Sequence, residues 1–157
     1  MKKYSGDVYT MNYKKLPLLL AFITPSICLA ESSYDAYKDS VKNCIEIENQ
    51  KSPVTINDLH GLKPEDIDKY LLLLKDIRIQ ECSKSYEMEA LVNELSSGNE
   101  LININKLSER YLSIYIKKRT NTLSENELSK LNQLDSSLKA KSLEVNMLSL
   151  WEKLKYN

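Results

Sequence analysis

The sequence predicts an all-α fold, a four-helix bundle or a looser helical array, with one disulfide joining the first two helices. Three observations predict it. Beyond residue 30, apolar residues recur every three or four positions, which is the period of an amphipathic helix. Over residues 31–157 the only turn-formers of the Gly/Pro kind are Gly61, Gly98, Pro53 and Pro64, too few for a hairpin-rich sandwich or barrel. The same stretch keeps two cysteines, Cys44 and Cys82, while Leu, Lys and Glu, all good helix formers, dominate the rest.

The first helix is expected over about residues 33–50, where Tyr34, Tyr37, Val41, Cys44 and Ile45 share a stripe. Pro53 closes it, because the residue before a proline avoids the α region. Residues 51–63 read as a connector with one short turn at Asn57–His60. Pro64-Glu65-Asp66 opens the second helix: proline suits a first turn, and acids there face the positive end of the dipole. Its stripe runs from Ile67, Tyr70, Leu71, Leu74 and Ile77 to Met88, Leu91, Val92 and Leu95. Gly98-Asn99 is the stop. The run of about 30 residues is long enough to expect a kink near Cys82–Ser85.

A third helix is expected over 103–119, with Ile104, Leu107, Tyr111, Ile114 and Tyr115 on one face. Lys117-Lys118-Arg119 at its end complement the negative pole of the helix. Ser124-Glu125-Asn126-Glu127 is a capping box, the serine oxygen taking an orphan amide and Glu127 reaching back. The fourth helix is then expected to run toward Lys155 on Leu128, Leu131, Leu134, Leu138, Val145 and Leu148.

Cys44 and Cys82 bracket residue 63 symmetrically, beside the Gly61–Pro64 turn, as an antiparallel helical hairpin requires. Each lies on or near its helix's apolar stripe. A disulfide between them clamps helix 1 to helix 2 and, in the chain-entropy picture, is worth about 3–4 kcal/mol. Redox-active pairs sit close together as Cys-x-x-Cys, and these two are far apart.

The expected compartment follows from the start of the chain. From Met11 the sequence reads MNYKKLPLLLAFITPSICLA. Lys14 and Lys15 form a positive region, Leu16 to Ile27 a short apolar one, and Cys28-Leu29-Ala30 offers small residues three and one before a cut. The apolar run is shorter than the ~20 residues that span a bilayer. The reading is a leader over 1–30, with Met11 as the true start and cleavage after Ala30, and a single helical domain over 31–157. No stable membrane insertion is expected after cleavage. Lipidation at Cys28 is disfavoured by bulky Ile27 before it. The expected location is the bacterial periplasm, which oxidises thiol pairs.

Charge narrows the partners. Lys2, Lys3, Lys14, Lys15 and Asp7 leave with the leader, so the 22 basic and 22 acidic residues of the chain become 18 and 21, a net of −3. That is no footprint for nucleic acid or anionic lipid. Motifs narrow the chemistry. His60 is the only histidine, and no second ligand stands at metal spacing. Glu65/Asp66/Asp68 and Glu87/Glu89 resemble paired catalytic acids, but helix starts and solvated faces account for such clusters. There is no nucleophile elbow and no Gly-rich phosphate loop. The expectation is a protein that is not an enzyme and carries no cofactor and no metal.

Two apolar stretches exceed a simple stripe. Tyr70 to Leu74 covers its helix all round, as in a helix buried on several sides. At the C-terminus, Leu143, Met147, Leu150 and Leu154 form one stripe with Trp151 beside it. Those five are the candidate partner-binding residues, with the domain's own core as the competing use. The expected function is binding another envelope protein, as an assembly factor, adaptor or accessory subunit. The alternatives are an inhibitor or immunity protein plugging an envelope-targeted enzyme through the 51–63 connector and His60, and a helical cell-wall hydrolase needing only one or two carboxylates.

Overall fold

A computed structural model describes residues 32–59, 61–97 and 103–156. They fall within one unit, Glu31–Asn157. The expected leader over 1–30 with its expected cleavage position, His60 and the expected Gly98-Asn99 stop lie outside the described residues.

The fold is α-helical. Helix α1 spans Ser33–Asn49. Ser32 caps it, its hydroxyl accepting from the Asp35 amide at 3.1 Å. A two-residue strand β1 (Ser52–Pro53) and a 3₁₀ turn (Ile56–Leu59) fill the connector. The second helical run starts as α2 (Pro64–Asp66), passes through one π turn (Ile67–Leu71) and continues as α3 (Leu72–Ser96). The irregularity expected near Cys82–Ser85 therefore sits at the other end; α3 is unbroken through those residues. The π turn falls where Tyr70 and Leu71 are both buried, a single-turn bulge within a helical run.

Two expected helices are each divided. The 103–119 segment forms α4 (Ile104–Arg110) and α5 (Leu112–Thr120), separated by Tyr111 in an extended conformation. The 124–155 segment forms α6 (Glu125–Leu138), a strand β2 (Lys141–Ser142) and α7 (Met147–Lys155). The Ser124–Glu127 capping box is present: the Ser124 amide donates to Glu127 at 2.8 Å and the Glu127 amide to the Ser124 hydroxyl at 3.4 Å. β2 pairs in parallel with β1, Ser52 opposite Lys141 and Pro53 opposite Ser142. The structure is a helical array with this small parallel pair, not a plain run of four helices.

Helix α3 is the spine, and α1 lies antiparallel along it: Tyr37 meets Glu87, Cys44 is bonded to Cys82, and Glu48 meets Arg78. The Cys44–Cys82 disulfide is formed, with Cα atoms 5.9 Å apart. Two apolar cores sit at either end of the spine. The larger gathers Leu71, Leu73 and Leu74 with Val54, Leu59 and Leu62 of the connector, Leu131 and Leu138 of α6, and Leu143 and Leu150. The leucine run is thus buried on several sides, as its pattern predicts. The smaller core is Tyr37, Ala90, Leu107 and Tyr111. Each fully buried leucine adds roughly 1.5–3 kcal/mol.

Candidate functional site

Three regions hold polar or apolar groups beyond what a minimal core needs: the α1–α3 seam, the cleft beside α5, and the exposed faces of α3 and α7.

In the α1–α3 seam the chain buries charge and satisfies it. Glu87 is fully buried. One of its oxygens accepts from the Ser113 amide at 2.6 Å and from the Tyr37 hydroxyl at 3.5 Å; the other accepts from Gln80 at 3.0 Å. The Tyr37 hydroxyl accepts from the Leu112 amide at 3.2 Å. Burial, with the Glu87 charge adding to it, pushes Tyr37 up to about 12, although the Leu112 amide favours the phenolate. These contacts explain why α5 starts where it does. Tyr111 supplies no side-chain cap, so the orphan amides of the first turn are taken by residues 26 and 75 positions away. The break lets the Tyr111 ring stack on Tyr37, centroids 5.7 Å apart, and meet Tyr34 edge-on.

At the other end of α1, Arg78 performs a similar task. Its guanidinium donates to Glu48 at 3.2 Å, to the Lys141 carbonyl at 2.9 Å and to the Asp135 carboxylate at 3.0 and 3.1 Å. Glu48 also accepts from the Leu143 amide at 3.3 Å and pairs with Lys51. Burial penalises the Glu48 carboxylate, but the Lys51, Leu143 and Arg78 contacts outweigh it and hold the group below its ordinary range. One arginine therefore ties α1, α3, α6 and β2 together, a planar fork with several matched acceptors. No local sequence signal marks it.

Of the carboxylates considered for acid–base chemistry, four can be described, the Asp68 side chain lying outside the described residues. Asp66 takes the Lys63 amide at 2.9 Å and Lys130 at 2.8 Å, Glu87 caps α5, and Glu65 and Glu89 are exposed. An open cleft between α3, α4 and α5 contains Asp76, Tyr115, Lys118 and Arg119. Burial raises Asp76 above the usual carboxylate range against the pull of Lys75 and Arg119. The cleft's cations are held by neighbours: Lys118 on Asn105 at 3.3 Å, Arg119 on the Tyr115 hydroxyl at 3.1 Å, and Arg110 on Glu94 at 2.6 Å and over the Tyr34 ring. Among the described residues no group of three or more His, Cys, Asp or Glu could hold a metal ion, and no helix is long and apolar enough to cross a membrane.

Among the described connector residues, Val54, Leu59 and Leu62 are buried, Thr55, Asn57 and Lys63 are exposed, and Asp58 pairs with Lys141 at 3.2 Å. The five C-terminal candidates separate. Leu143 (0% exposed) and Leu150 (7%) are taken up by the larger core. Met147, Trp151 and Leu154 are half-buried and pack against that core, with Lys155 over the Trp151 ring. The outward side of α7 shows Leu148, 66% exposed.

A further surface was not singled out from the sequence. On the distal half of α3, Met88, Val92 and Leu95 are 49%, 52% and 44% exposed. Their spacing of four then three places them on one face, roughly 140° around the helix from the buried Ser83, Glu87 and Ala90. Lys84 and Glu89, both exposed, flank it. The sequence pattern runs these three residues on one stripe with Leu74 and Ile77; the larger core covers that stripe at its proximal end and leaves Met88, Val92 and Leu95 exposed.

No family model, curated protein or solved structure matches this chain.

Proposed function

We propose that this chain is exported to the periplasm and works by binding another envelope protein, an amphipathic helix of which lies along the distal face of α3. The observation that carries the reading is the Met88–Val92–Leu95 face, apolar and turned to solvent. A four-three spacing is the seam of a helix pair, so the matching partner surface is a second helix with the same repeat. Lys84 and Glu89 beside the seam supply one charge of each sign to set register. Export is supported by the leader pattern over 11–30 and by the Cys44–Cys82 bond, since such bonds persist in oxidising compartments.

The test is site-specific photo-crosslinking in cells. A photoreactive residue at position 88, 92 or 95 is expected to give one discrete adduct with a second protein. The same residue at exposed Glu46 or Asn126 is expected to give none. Adducts of twice the protein's own mass would overturn the reading in favour of self-association. A discrete adduct from position 148 alone would move the docking face to α7, beside Met147, Trp151 and Leu154. Mass spectrometry of the periplasmic form is expected to find Glu31 as the first residue; an intact leader on cytosolic protein would overturn the export reading.

A further inference from the structure

The disulfide is asymmetric. Cys44 is 4% exposed, whereas Cys82 is exposed. Both line a groove between α1 and α3 that also touches Ser40, Asn43 and Tyr86. A structural bond in a helical hairpin can be sealed from both sides; here one bonded residue is buried and the other lies at the surface. Access matters because exchange needs a thiolate to approach one sulfur in line with the S–S bond. Cys44, buried on α1's inner face, offers less approach than Cys82.

The seam on either side of the bond does not depend on it. Seven residues before Cys44, Tyr37 is held by Glu87 and stacked on Tyr111; four residues after it, Glu48 is held by Arg78. Opening the bond therefore leaves α1 anchored at both ends, and the two sulfurs stay within reach of each other.

We propose that Cys82 is a thiol-exchange site of the folded protein. A thiolate of a dithiol attacks the Cys82 Sγ, the Sγ–Sγ bond breaks, and the Cys44 sulfur leaves as a thiolate that takes a proton from water. The dithiol's second thiolate then attacks the dithiol's first sulfur in the mixed disulfide, that bond breaks, and the Cys82 sulfur leaves as a thiolate that takes a proton from water. The protein disulfide is reduced by two electrons and the dithiol is oxidised to its disulfide. Run backward, the same path forms the bond after folding. The partner class is a dithiol reductant with a low-pKa thiol, the property that makes an attacking thiolate available near neutral pH. This inference is independent of the docking face on α3.

The experiment uses the folded, oxidised 31–157 protein with glutathione as probe, acid quench at low conversion, and peptide mapping. The glutathione adduct is expected on Cys82 over Cys44 by at least about tenfold, since access decides which sulfur is attacked. The reduction rate by dithiothreitol is expected to stay flat in denaturant below the unfolding transition. Tyr86→Ala, which widens the groove, is expected to raise the rate several-fold while leaving Tm nearly unchanged. An adduct on Cys44, an even split, or reduction that tracks global unfolding would each overturn the proposal.

Discussion

One carboxylate oxygen of Glu87 accepts the backbone amide of Ser113 at 2.6 Å, so a side chain on α3 makes the N-cap that α5 lacks in its own sequence. The helix start is a tertiary product: without Glu87 and Tyr37, two partly buried amides at the head of α5 lose their acceptors.

Glu87→Ala is accordingly expected to cost about 1–3 kcal/mol, the penalty of stranding partly buried donors. Glu87→Gln keeps an acceptor at the same place and is expected to cost less. Denaturant titration gives the sizes. Hydrogen exchange at the Leu112 and Ser113 amides gives the location, with faster exchange expected there first. A loss no larger than that of an exposed Glu89→Ala control would refute the capping role.

Cys44→Ser is expected to lower stability by about 3 kcal/mol, a fall in Tm on the order of 10 °C, because the freed chain regains loop entropy when unfolded. The far-ultraviolet signal is expected to stay native, since Tyr37–Glu87 and Glu48–Arg78 still pin α1. An unchanged melting point on substitution and on reduction would remove the staple from the account.

Leu143 and Leu148 are five residues apart and lie at opposite extremes, 0% and 66% exposed. Leu143→Ala is expected to cost about 2–5 kcal/mol through lost burial and a cavity. Leu148→Ala is expected to change stability by less than about 0.5 kcal/mol. Equal losses in calorimetry would mean that α7 packs differently.

Acid should act with two signs. Glu48 is held below its ordinary 4.5, so its ionised form stabilises the fold. That contribution is complete above 4.5 and disappears as pH falls through the lower folded value. Glu48→Gln is expected to destabilise at pH 7 and to flatten the acid limb of the Tm profile. Asp76 is raised above 3.8, chiefly by burial. Its ionised form is a penalty, present above the folded value and relieved as pH falls through it. Asp76→Asn is expected to raise Tm at pH 7, with the gain shrinking toward acid. The same sign of change for both variants at pH 7 would contradict this assignment.

Much of the helical content was readable from local chemistry. Ser124-x-x-Glu127 started α6, Pro64 opened α2, and the 3.6-residue period marked α1 and the long second run, because caps and stripes act over one or two turns. The pairing of Cys44 with Cys82 followed from composition, since residues 31–157 hold only two cysteines. The breaks were less visible. Tyr111 carries no breaker, and its extended backbone is held by ring stacking on Tyr37 and by Glu87 taking the freed amide. The interruption of the 124–155 run is held by Arg78 and Glu48, which bind the Lys141 carbonyl and the Leu143 amide from 63 and 95 residues away; only Asn146 capping α7 through the Ser149 amide was a local cue.

What the amino-acid order determined alone was a set of helices with apolar faces and a pair of thiols on two of them, because periodicity, capping and cysteine number are properties of short stretches. What tertiary structure decided was where those helices break, that Leu143 and Leu150 go inward, and that Met88, Val92 and Leu95 stay outside. Those outcomes depend on which distant acceptor reaches a freed amide and how much apolar surface the neighbours can cover, and neither is encoded within a single turn of the chain.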